Sequence, residues 1–173
     1  MIASATVRNA TNFVLFQVGW LACVLYPNRL SVLLVLGLLA LHLALVSRHR
    51  WGELQFIGLG TVLGGALDTL WFQTGVLAAS TAEYAVVPPW LLALWVMFMT
   101  TLSHSLNWIS AWRWLPFVLA PIAGPFAYWS ASKLGAVQLP DPALSLLALA
   151  FGWLVLFPLL LQLRKMLYPE LVA

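Results

Sequence analysis

The chain has 173 residues, of which 63% are hydrophobic and 8% charged, with a formal net charge of +3. A soluble domain carries about 25% charged residues, so this composition excludes an ordinary water-facing globule and gives no basic patch for nucleic acid. The single cysteine, Cys23, excludes an internal disulfide and a multi-cysteine metal site.

Six apolar runs follow one another, at about 10–26, 30–46, 55–78, 87–110, 114–133 and 143–163. Each approaches the roughly 20 residues that cross roughly 30 Å of hydrocarbon. Backbone groups in lipid must pair within their own segment, so the runs are predicted to be helices, and the alternating strands of a barrel are absent. The expected fold class is all-α: an integral membrane bundle of six transmembrane helices, one polytopic domain over 1–173. Arg8, Arg48, Arg50, Arg113, Arg164 and Lys165 fall on one side, and Arg29 and Lys133 on the other. That bias puts both termini in the cytoplasm. Trp51, Trp90, Trp108, Trp112 and Trp114 lie near predicted helix ends, as headgroup-belt residues do.

In the first run, Asn12 and Gln17 bring amides that need partners in an apolar setting. Cys23 reads as a small core residue. In the second run, His42 reads as an inter-helix hydrogen bonder, and His49 falls in the loop after it. A polar segment, 79–84, follows the third run.

Asp68 lies well inside that third run, where an aspartate costs about 2.5–3.5 kcal/mol on insertion and must face protein or water. Gly60, Gly64, Asp68, Trp71 and Gly75 share a stripe at helical spacing, and its glycines allow another helix to approach closely. A proton or ligand site and a helix-locking contact are equally good readings of Asp68. His104 and Asn107, three apart on the fourth run, share a face with Thr100 and Trp108. Each alone reads as a helix cross-link, and the pair leans toward function.

The fifth run carries Pro116, Pro121 and Pro125. Each removes a backbone donor, so the segment from Pro121 through Gly124 to Pro125 is expected to be kinked or locally unwound. Tyr128 and Lys133 follow, with Lys133 either snorkelling or reaching Asp68. Asp141 before Pro142 has the pattern of a cap for the sixth helix.

Several chemistries are argued against. The sequence has no His-Glu-x-x-His zinc motif, no Gly-x-Ser-x-Gly turn and no phosphate loop. Its three histidines cannot supply a histidine-rich di-iron site. No metal and no cofactor is expected.

A set of motifs carries a family resemblance. They are Asn12-Phe13, Phe16-Gln17 and Gly19-Trp20 in the first run, with Gly64, Asp68 and Gly75-Val76-Leu77 in the third. Pro89-Trp90, Leu94-Trp95 and His104-Ser105-Leu106 mark the fourth, and Pro125, Ala127-Tyr128 and Leu134-Gly135-Ala136 the fifth. Together these resemble a family of small proteobacterial inner-membrane proteins known as a domain of unknown function. The resemblance covers nearly the whole chain and implies a multi-pass inner-membrane protein without an assigned activity. It also implies a basic residue near Lys133, and a lipid connection through gene neighbourhoods containing cyclopropane-fatty-acid-synthase-like methyltransferases.

The candidate intramembrane polar site comprises Asp68, His104, Asn107, Tyr128 and Lys133, supported by Asn12, Gln17, Pro121, Gly124 and Pro125. The leading expectation is a protein that binds or moves a small or lipid-like molecule in a pocket among helices three, four and five. A structural or assembly subunit with a membrane-protein partner comes second, and an intramembrane lipid-modifying enzyme third. The bilayer itself is the expected environment, and nucleic acid is not an expected partner.

Overall fold

The computed structural model describes residues 2, 4–79 and 86–172, so most of the polar segment after the third run lies outside the described residues. The fold is all-helical. Among the described residues six α-helices run Ala5–Leu25 (α1), Arg29–Leu45 (α2), Arg50–Gln73 (α3), Pro89–Leu102 (α4), Leu115–Lys133 (α5) and Pro142–Leu167 (α6). A short 3-10 helix, Asn107–Ala111, joins α4 to α5.

Local sequence sets most boundaries. Asn28 caps α2 by accepting from the Leu30 N–H, and Asp141 caps α6 by accepting from Ala143 and Leu144. Helices α3 and α5 each end on a glycine with positive φ, Gly75 and Gly135, a conformation that disfavours other residues. These two ends meet, because Ala78–Ala79 pairs antiparallel with Val137–Gln138.

Two expectations for the helices are corrected. The fourth run does not stay helical to residue 110; α4 stops at Leu102. Thr100 and Thr101 turn their hydroxyls back onto the carbonyls of Met97 and Phe98, and the chain then closes tightly, with the Leu106 N–H on the Thr101 carbonyl. A helix end leaves carbonyls without partners. Arg164 supplies one by donating from its guanidinium to the Leu102 carbonyl, and it also donates to Ser110 Oγ at 3.2 Å. Arg164 is therefore buried rather than lying free at the end of α6.

The fifth helix, in turn, is not unwound. It runs unbroken through Pro121 and Pro125. Each proline removes one backbone bond, and packing along α6 holds the rest: a side chain at Gly124 would collide with the indole of Trp153.

Helix α4 is central and packs on α1, α2 and α3, while α3 also touches α6, and α6 pairs with α5. The helices thus form an arc in the order α1, α4, α3, α6, α5. The α3–α4 contact depends on the glycine stripe, since a Cβ at Gly64 would meet the Trp95 ring and one at Gly60 would meet Met99. Among the described residues, one helix, α6, is long and apolar enough to cross a membrane, while α2 and α4 are shorter apolar helices.

Candidate functional site

Two clusters of buried polar side chains lie at different heights along α3. The first is built on Asp68, fully buried on the α4-facing side of α3. Its Oδ1 accepts from the Tyr128 hydroxyl of α5 at 2.6 Å, and its Oδ2 accepts from the Trp95 indole N–H of α4 at 2.6 Å. One carboxyl group therefore ties three helices together. Trp95 in turn stacks on Trp153 of α6, with centroids 5.3 Å apart and planes within 10°, a geometry in the favourable range for aromatic pairs.

A cavity of about 610 Å³ lies against this cluster, within the arc of α1, α4, α5 and α6. Trp95, Tyr128, Phe98, Ala127 and Trp153 form part of its wall. The polar ends of Trp95 and Tyr128 are taken up by Asp68, so these residues present apolar ring surface to the cavity. Trp153 differs, because its indole N–H is buried and has no partner. A stranded donor of that kind costs about 1–3 kcal/mol. The Gln17 amide and Ser130 add polar groups to the lining.

The second cluster is built on Glu53, in the first turn of α3. Its Oε1 lies 2.7 Å from His42 Nε2, in the last turn of α2, and 2.9 Å from His104 Nε2, in the turn after α4. Glu53 and His42 are buried, whereas His104 is 13% exposed and forms the outer edge. Asn12 of α1 extends the network. Its Oδ1 accepts from the Ser105 N–H at 3.2 Å and from the Ser105 hydroxyl at 2.6 Å. Its Nδ2 donates to Thr100 Oγ1 at 2.9 Å and lies 3.4 Å from His42 Nδ1.

A family model described as Protein of unknown function (DUF2878) matches residues 9–159. The chain belongs to this family. No curated protein and no solved structure matches it. The family description carries no activity, so the geometry has to speak for itself.

That geometry sets the five candidate site residues apart from one another, with one pair excepted. Asp68 and Tyr128 are in direct contact. His104 belongs to the Glu53 cluster. Glu53 and Asp68 are fifteen positions apart on one helix, about 22 Å of axial rise. That excludes a direct acid–base unit of His104 with Asp68, whose reach is about 3 Å or one water. Asn107 is not on a helical face with His104; it starts the 3-10 helix and accepts from Ser110 Oγ at 3.2 Å. Lys133 does not reach Asp68. It is exposed, with its ammonium 5.7 Å from the Trp129 ring centre, a cation–π distance.

Of the supporting residues, Asn12 is buried in the Glu53 cluster, Gln17 and Gly124 line the cavity, and Pro121 and Pro125 lie within α5. Trp51, Trp108, Trp112 and Trp114 are exposed, but Trp90 is buried and lines the cavity instead of standing at the surface.

Glu53 and Trp95 are the residues that sequence reasoning missed. Glu53 lies just outside the third apolar run and resembles an end-of-helix charge. One signal was available: the chain has only five acidic residues, and Glu53 follows His42 across the short turn between α2 and α3.

Proposed function

We propose that this chain is an integral membrane protein that binds a lipid-like molecule in the cavity between α1, α4, α5 and α6. The observation that carries this reading is a 610 Å³ cavity whose lining is largely apolar and includes the polar residues Gln17 and Ser130. Ligand pockets span about 300–1,000 Å³ and pair apolar walls with a few polar groups. An acyl or prenyl chain fits the walls. An ester, keto or carboxylate oxygen on that chain would accept from the Gln17 amide.

The distribution of side chains supports the membrane reading. Phe13, Leu33, Val62, Ile122 and Phe151, on five different helices, are exposed, while Asn12, His42, Glu53, Asp68 and Arg164 are buried. Water rewards the opposite arrangement, and hydrocarbon rewards this one. Six cationic residues against two favour cytoplasmic termini in a bacterial inner membrane. Asp68 serves this protein as a three-helix fastener beside the cavity, because both of its oxygens are occupied within the fold.

The test is to purify the chain in mild detergent, extract it and analyse the extract by mass spectrometry, beside Ala127→Trp. Ala127 lines the cavity, and an indole there would obstruct it. Wild type should retain a stoichiometric apolar molecule and Ala127→Trp should lose it while staying folded. An empty wild-type extract, with no thermal shift from added lipids, would sink the proposal.

A further inference from the structure

We propose that His42, Glu53 and His104 form a binding site for a first-row divalent transition-metal ion. The ligand atoms are the Nε2 of each imidazole and a Glu53 carboxylate oxygen. They come from three separate elements, the end of α2, the start of α3 and the turn after α4, and all lie within 4.8 Å of one another.

The donor chemistry selects the ion. Two imidazoles and one carboxylate suit zinc, iron, cobalt or nickel, whereas magnesium and calcium favour oxygen ligands. In a tetrahedral site with bonds of about 2.1 Å, ligand atoms stand about 3.4 Å apart. The two nitrogens are 2.7 and 2.9 Å from Glu53 Oε1, so the carboxylate has to withdraw by about half an ångström to admit an ion. Three protein ligands leave a coordination position open, and the cluster reaches the surface at His104.

Charge points the same way. Glu53 is 1% exposed, and a buried carboxylate needs a compensating cation. A divalent ion held by all three side chains supplies that charge. Metal on Nε2 requires the ring proton on Nδ1. For His42 that atom faces the Asn12 Nδ2 at 3.4 Å, and an amide nitrogen only donates, so metal binding has to turn the His42 ring or the Asn12 amide out of this contact.

This site is independent of the lipid cavity and is tested without any lipid. The full chain, with any affinity tag removed, is stripped with a chelator in detergent and titrated with Co²⁺ and then Zn²⁺. One saturable equivalent with visible ligand-field bands is expected, together with a rise in Tm on adding Zn²⁺. His104→Gln, at the partly exposed position, should bind at least ~10-fold more weakly, since losing even an outer partner costs 10–100-fold. His104→Asn provides a second variant if the glutamine fails to fold. Absence of a saturable equivalent in wild type overturns the proposal. So does equal affinity in a folded His104 variant, which would mark the binding as adventitious.

Discussion

The two polar clusters share α3 and differ in how they are closed. Around Asp68, every member is buried and both carboxyl oxygens have partners from other helices. Around Glu53, one carboxylate oxygen is shared by two imidazoles, and one of those reaches the surface. A closed network in an apolar setting acts as a fastener, because any change strands a group that water cannot reach. An open network with metal-type donors can exchange a proton or an ion with its surroundings. The difference fits a fastener at the Asp68 end and the proposed ion site at the Glu53 end.

The largest effect that would sharpen this contrast is expected from Asp68→Ala. It strands the Tyr128 hydroxyl and the Trp95 N–H, at about 1–3 kcal/mol each. Equilibrium unfolding in mixed micelles should show that loss, with Asp68→Asn losing less because its amide oxygen still accepts one bond. Glu53→Ala should cost less, about 1–3 kcal/mol, because only His42 is stranded and His104 can turn to water. The same variant should abolish the Zn²⁺-dependent rise in Tm. The smallest effect belongs to Lys133→Ala, within about 0.5 kcal/mol, as for other exposed side chains. A large loss there would mean that Lys133 serves the Asp68 cluster after all.

The helices were legible because their signal is summed over long apolar stretches. The end of α4 was not, because two threonine hydroxyls and a distant arginine decide it. Asp68 was legible because an aspartate deep in an apolar run needs a partner. Tyr128 was singled out as well, yet the pairing of the two was not visible, and neither was Trp95, which resembles any interfacial tryptophan. Asn107 was misread because the three-residue spacing from His104 has meaning only if the helix continues. The Glu53 cluster was invisible for a different reason. Its three donors come from separate elements, and only tertiary packing brings them within reach.

The separation of the two clusters is tested most directly by a double-mutant cycle. The unfolding free energies of Asp68→Asn, Glu53→Gln and the double variant would be measured under one set of conditions. Sites with no shared partners add within about 0.5 kcal/mol, and additivity of that quality is the predicted result. An interaction term well above about 1 kcal/mol would contradict it and make the buried polar interior one coupled site.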